Sequence, residues 1–139
     1  MTATCLCGDV SVTIDAKPDF IHECNCDLCR KTGAAWGYFS SASVNTSGST
    51  SAYMRRDKPN AGVEVKTCPI CGSTTHFELA YAFKAANPGA DVVGVNMRLF
   101  TAEQLDGVEV RYPNGKAWEG TGPFGYRRAA MTISENSPW

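Results

Sequence analysis

The sequence predicts a mainly-β chain of short strands pinned by metal, and three observations carry that expectation. Apolar and polar residues alternate over short runs, as in Val10, Val12 and Ile14, which is the period of a half-buried strand. Turn-forming groups such as Pro18-Asp19, Asn87-Pro88-Gly89 and Pro113-Asn114-Gly115 break these runs at short intervals. All seven cysteines fall into three tight groups, Cys5-Leu6-Cys7, Cys24-Asn25-Cys26-Asp27-Leu28-Cys29 and Cys68-Pro69-Ile70-Cys71.

At 139 residues the chain reads as a single domain, residues 1–139, large enough to bury a core. With 13 Lys plus Arg against 14 Asp plus Glu, the formal charge is −1. That balance predicts neither a nucleic-acid nor a membrane surface. No apolar run approaches the ~18 residues of a bilayer span, and the first residues lack a secretory pattern. The expectation is therefore a cytoplasmic chain, with homo-oligomerisation left open.

In chain order, residues 8–15 read as a first strand. Residues 20–24 read as a second strand that feeds the central cysteines, with Cys24 and Cys26 on one strand face and residues 27–29 turning Cys29 back. Residues 36–43 are aromatic-rich and read as a strand, 45–49 as a polar loop, and 51–55 as another strand. A loop over 57–62 precedes a short strand over 63–66 that leads into Cys68. Residues 75–81 alternate again, and 91–100 are rich in β-formers. Thr101-Ala102-Glu103-Gln104 fits a capping box and is the only convincing helix start, and Gly107 limits its helix to about one turn. A last strand is expected over 108–112, a glycine-rich loop over 119–126, and a loosely tied tail over the final ~10 residues.

Close C-x-C and C-x-x-C pairs in a chain without an export pattern favour zinc over disulfides. Cys68-Pro-Ile-Cys71-Gly72 has the form of a zinc knuckle, and Cys5-Leu-Cys7-Gly8 is a second two-sulfur loop closed by glycine. Together they make a four-cysteine set that fills zinc's coordination shell, a structural staple joining points 61 positions apart between Cys7 and Cys68. If instead Cys5 and Cys7 were unrelated thiols, the knuckle would be left half coordinated. Cys24, Cys26 and Cys29 remain, and three thiolates with one vacancy suit a reactive zinc that accepts water or a thiol. Two alternatives stay open for these three: a second structural ion completed by His22, His76 or a carboxylate, or a Cys26–Cys29 redox pair. Two zinc ions per chain are thus expected.

The order C-x-C-G, C-x-C-x-x-C-R-K-x-G, C-x-x-C-G resembles the glutathione-dependent formaldehyde-activating family. It is carried by Cys5-Leu-Cys7-Gly8, by Cys24-Asn-Cys26-Asp-Leu-Cys29-Arg30-Lys31-Thr-Gly33 followed by Ala34-Ala35-Trp36, and by Cys68-Pro-Ile-Cys71-Gly72. The likeness spans about residues 3–80. Further on, members often carry an Asn-x-Gly-x-Leu-Asp-like stretch where this chain reads Val95-Asn96-Met97-Arg98-Leu99-Phe100.

The resemblance implies an Mss4-like arrangement of zinc-pinned β-sheets, Cys5, Cys7, Cys68 and Cys71 as structural ligands, and Cys24, Cys26 and Cys29 as catalytic ones. It also implies a carbon–sulfur lyase that joins formaldehyde to glutathione. Glutathione bears two carboxylates, so Arg30, Lys31, Arg55 and Arg56, with Lys58 nearby, are candidates for binding it. His22 and His76 are candidate proton carriers. A different class remains open, a non-catalytic zinc module that binds a protein or another partner. Methionine sulfoxide reduction on a related fold would want a cysteine outside the zinc sets, and there is no eighth.

Overall fold

A computed structural model of the chain describes residues 1–59, 61–120 and 122–139. Asn60 and Thr121, which the sequence assigns to the loops over 57–62 and 119–126, lie outside the described residues.

The architecture is mainly β, with strands in two sheets and two six-residue helices. The small sheet is built from β1 (Thr2–Thr4), β2 (Ser11–Ile14) and β5 (Val44–Ser47), in the order β1-β2-β5. The strands of the large sheet are β3 (Phe20–His22), β4 (Trp36–Phe39), β6 (Ser51–Met54), β7 (Val63–Thr67), β8 (Thr74–Leu79), β9 (Val93–Asn96), β10 (Glu109–Arg111) and β11 (Met131–Thr132). Their order is β11-β10-β3-β4-β9-β8-β7-β6. All pairings in it are antiparallel except β10 with β3. The helices are α1 (Asp27–Thr32) and α2 (Tyr81–Ala86).

The alternation over 8–15 does its expected work, because Val12 and Ile14 are fully buried. They join Ile21, Val95, Met97, Leu105, Val110, Tyr112 and Ile133 in the main core. A smaller cluster of Cys29, Ala34, Trp36, Val65 and Phe77 includes one of the central cysteines and packs against the other two. Cys5 and Cys68 pack with Val10 in a third cluster. Each cysteine group therefore rests on its own apolar floor.

Several local expectations are corrected. The second strand ends at His22, so Cys24 and Cys26 lie beyond it, and the expected turn at 27–29 is α1. The strand over 36–43 stops at Phe39 and passes into a 3-10 turn at Ser41–Ser43. The polar stretch 45–49 is largely strand, with β5 pairing against β2 from Val44↔Ile14 to Ser47↔Ser11. Its side chains are mostly exposed, so it carries no apolar alternation to read. Tyr81 opens α2 instead of ending a strand. The stretch over 91–100 is strand only to Asn96 and closes in a 3-10 turn at Met97–Leu99.

The capping box forms in full, with Thr101 N donating to Gln104 Oε1 at 2.9 Å and Gln104 N to Thr101 Oγ1 at 3.3 Å. It opens a turn, not a lasting helix. The tail is tied down, contrary to expectation. β11 pairs with β10, Ile133 is fully buried, and Trp139 Nε1 donates to Glu23 Oε2 at 2.9 Å.

Candidate metal centres

The two outer cysteine groups come together as the tips of two similar loops. Cys5 N donates to Val10 O at 2.8 Å, and Cys68 N donates to Ser73 O at 2.9 Å, so each loop is closed across five positions. Gly8 (φ 88°) and Gly72 (φ 73°) take the left-handed turn just after the second cysteine of each loop, a conformation other residues adopt only with strain. The sulfurs stand 3.5 Å apart for Cys5–Cys7 and 3.6 Å for Cys7–Cys68. The donor atoms of Cys5, Cys7, Cys68 and Cys71 all lie within 4.8 Å of one another. Four sulfurs each ~2.3 Å from a tetrahedral zinc stand ~3.8 Å apart, so the set fits such an ion.

Around this set, Val10 N points at Cys5 Sγ (3.3 Å), and the Ser73 hydroxyl lies 3.2 Å from Cys71 Sγ. The Ser73 hydroxyl and backbone N–H lower the Cys71 thiol to about 5. Cys5 and Cys68 are buried.

The central group is built from one short segment. β3 and β4 meet in register at His22 and Trp36, and the connection between them carries all three sulfurs. Cys26 caps α1, Cys29 sits inside it, and Gly33 ends it in the left-handed conformation. Thr74 Oγ1 on β8 donates to Thr32 O at 3.0 Å and seats the C-terminal end of the helix. Cys24, Cys26 and Cys29 again place their sulfurs within 4.8 Å of one another, with Cys26–Cys29 at 3.4 Å. The Trp36 indole N–H donates to Cys29 Sγ at 3.3 Å, and Cys26 N lies 3.4 Å from Cys24 Sγ.

Crowding sets the thiol acidities. Sulfur contacts with Cys24 and then Cys29 pull Cys26 down to about 2, and sulfur contacts with Cys24 and then Cys26, together with burial, push Cys29 up. Cys24 is raised as well, chiefly by Cys26. Three thiols this close ionise together only beside a cation, so the donor set fits a thiolate-bound metal.

A turn late in the chain completes the wall. Asn25 Nδ2 donates to Asn114 Oδ1 at 2.8 Å, and Lys116 N donates to Asn25 Oδ1 at 2.9 Å. Between these anchors lies Gly115, where a Cβ would overlap Cys24 Sγ and stand 3.3 Å from Cys26 Cβ. Only a residue without a side chain fits there. The sequence displays Pro113-Asn114-Gly115 as a turn, and nothing local in it announces contact with a distant sulfur.

Cys24 and Cys29 open onto a cavity of about 430 Å³, lined also by Glu23, Asn25, Arg30, Gly33, Ala34, Arg98 and Arg127. Of the cations singled out in the sequence, Arg30 alone lines it. Lys31 lies on the exposed side of α1, 4.0 Å from Asp27. Arg55 is held by Asp57 through Nε (2.8 Å) and Nη2 (2.6 Å), and its charge helps to lower Cys26. Arg55, Arg56 and Lys58 line a second cavity of about 540 Å³ with Tyr53 and Met54.

Neither histidine belongs to a sulfur set among the described residues. His22 Nδ1 pairs with the Tyr38 hydroxyl at 3.2 Å, and burial with the Arg111 charge holds its imidazole below the usual range. Its Nε2 is buried without a partner among the described residues. His76 Nδ1 meets Thr75 Oγ1 at 3.0 Å, and burial lowers it too. Burial and the sulfur charges of Cys29, Cys24 and Cys26 push the Tyr38 hydroxyl up, which marks Tyr38 as a neighbour of the central group. Asn25, Trp36, Tyr38, Arg98, Gly115 and Arg127 are thus the site's further residues, assembled by the fold.

Comparison with known proteins gives a family and a likeness of fold. The family model described as "Glutathione-dependent formaldehyde-activating enzyme" matches residues 1–108. A crystal structure of a Rhodobacter sphaeroides protein superposes with a TM-score of 0.56 at 22% identity, covering 88% of this chain and 92% of that one, which is a likeness of fold. No curated protein matches the chain. Among the described residues, no helix is long and apolar enough to cross a membrane.

Proposed function

The chain belongs to the glutathione-dependent formaldehyde-activating enzyme family, and on that premise we propose a zinc-dependent carbon–sulfur lyase that acts on glutathione and formaldehyde or a related small aldehyde. Cys5, Cys7, Cys68 and Cys71 would hold a structural zinc. Cys24, Cys26 and Cys29 would hold a second, beside the cavity that Cys24 and Cys29 line. Zinc there supplies Lewis acidity that keeps an arriving thiol ionised near neutral pH.

The chain's own residues do the rest. The Trp36 N–H fixes Cys29, and Gly115 with Asn25 fixes Cys24, so the sulfur set is preorganised. Arg30 at the cavity wall and Arg55 beside Cys26 place positive charge near an anionic thiol, while Lys31 and Arg56 add charge farther out. Holding sulfur and aldehyde together turns a bimolecular encounter into a local one. The sulfur lone pair forms the new carbon–sulfur bond as the carbonyl π pair moves onto oxygen. That oxygen then takes up a proton, equivalent to the one lost from the thiol, and leaves a hydroxymethyl thioether.

One observation carries the reading: the three-sulfur group opens into a cavity of about 430 Å³ through Cys24 and Cys29. Cys29→Ala tests it. The expected outcome is a folded chain that has lost one of two zinc equivalents and its turnover of glutathione with formaldehyde. Unchanged turnover would sink the proposal.

A further inference from the structure

Of the seven asparagines in the chain, Asn114 alone is followed by glycine. The pair belongs to the turn that presses on Cys24. Ala117 N donates to Asn114 O at 3.1 Å and closes that turn, and both Asn114 and Gly115 are half-buried, within reach of water. Gly115 is not one of the glycines with a positive φ, so its backbone conformation does not require glycine. The sulfur requires it instead, because a Cβ would overlap Cys24 Sγ.

That requirement places a reactive pair beside the three-sulfur group. An asparagine carboxamide is open to attack by the main-chain nitrogen of the next residue. A side chain on that residue hinders the approach, and glycine has none. Asn25 Nδ2 donates to Asn114 Oδ1 at 2.8 Å, so a donor already faces the oxygen on which charge develops during attack. Among the described residues, the Gly115 N–H makes no main-chain hydrogen bond that would hold the nitrogen back. Any residue that would slow the reaction by bulk is barred from position 115 by Cys24 itself.

We infer that Asn114-Gly115 is a self-modification site, where water converts the carboxamide to aspartate and isoaspartate, and that the change loosens the three-sulfur group. Gly115 N gives its proton to solvent and bonds to Asn114 Cγ, closing a cyclic imide. The Cγ–Nδ2 bond breaks, and the nitrogen leaves as ammonia after taking up a proton. Water then opens the imide at either carbonyl. One product is aspartate, and the other is isoaspartate, whose main chain is longer by one carbon. Overall, water is consumed, ammonia is released and nothing is oxidised. The longer main chain shifts Gly115 against Cys24, and either product sets a carboxylate near sulfurs that must share negative charge. The loosening rests on the proposed function for the three sulfurs, whereas the modification does not.

The test ages the full-length, zinc-loaded chain in mildly alkaline buffer. Peptide mapping by mass spectrometry, with fragmentation that separates aspartate from isoaspartate, follows each asparagine, and zinc content is read on the same samples. Asn136, exposed and followed by serine, is the internal control. Asn114 is expected to convert several-fold faster than Asn136. The converted fraction is expected to hold zinc at the three-sulfur group ~10–100-fold more weakly. Asn114→Gln, whose longer side chain cyclises far more slowly, should keep its zinc through the same ageing.

Faster conversion at Asn136, or an unchanged Asn114, overturns the site. Full retention of zinc by the converted fraction overturns its consequence. Should Asn114→Gln fail to fold, wild type decides the matter, because converted and unconverted chains are compared within one sample. A fresh chain with no zinc at the three sulfurs would remove the proposed function and the loosening with it. The modification would still stand or fall on the peptide map alone.

Discussion

Cys5 and Cys7 meet Cys68 and Cys71 across more than sixty positions, whereas Cys24, Cys26 and Cys29 span six. Cross-linking a loop of ~60 residues removes ~4 kcal/mol of chain entropy from the unfolded state, and a six-residue loop ~2 kcal/mol. The first group therefore has a reason to exist as a staple. The second closes little chain and gains little that way. It is also the group with a cavity at its sulfurs and a late turn pressed against one of them. Sequence separation between the sulfurs, together with access, distinguishes a group suited to hold the fold from one suited to offer a coordination place.

The sharpest way to break this comparison is Cys68→Ser. We expect the melting temperature, followed by circular dichroism, to fall by more than about 10 °C, in keeping with several kcal/mol lost from a chain of this size. A melt no different from that of Cys29→Ala would erase the distinction.

Chelator challenge probes the same difference with the sequence intact. Metal released to a colorimetric chelator should appear in two phases, first from the three-sulfur group and later from the closed four-sulfur group. Release in one phase would count against unequal sites.

Gly115→Ala sharpens it at single-atom scale. The added methyl would overlap Cys24 Sγ, so either the sulfur or the turn must yield. Affinity at the three-sulfur group should fall ~10–100-fold with little change in the melt. A competition titration that finds both sites unaltered would refute the contact. Trp36→Phe is the mildest of the series, since it keeps an aromatic ring against Phe77 and removes the N–H donated to Cys29. A drop of about tenfold or less in affinity at that site is expected by the same titration.

The parts of the fold legible in the sequence are those where local chemistry and tertiary role coincide. Val10, Val12 and Ile14 alternate because one face of their segment is buried, and all three are fully buried. The Thr101–Gln104 pair announces its reciprocal hydrogen bonds, and both form. β5 is hidden because Val44-Asn45-Thr46-Ser47 sits at a sheet edge with mostly exposed side chains. α2 is hidden because it buries no residue and has no side-chain cap at its N-terminus. α1 is masked by the close cysteine spacing, which a strand and a helix start can both satisfy. The tail reads as loose because its anchors, the core around Ile133 and the Glu23 carboxylate under Trp139, lie far from it in sequence.

Local spacing gathers seven sulfurs into three groups, zinc's preference for four ligands joins the outer two, and short apolar alternation gives the mainly-β expectation. The groups that surround the three sulfurs follow from tertiary structure instead: Gly115 against Cys24, Trp36 beside Cys29, and Arg98 and Arg127 at the cavity wall. All of these but Trp36, seven positions from Cys29, reach the site from distant strands and turns, as when Lys116 bonds Asn25 across 91 positions. Their proximity comes from sheet order and close packing, which no run of adjacent residues encodes.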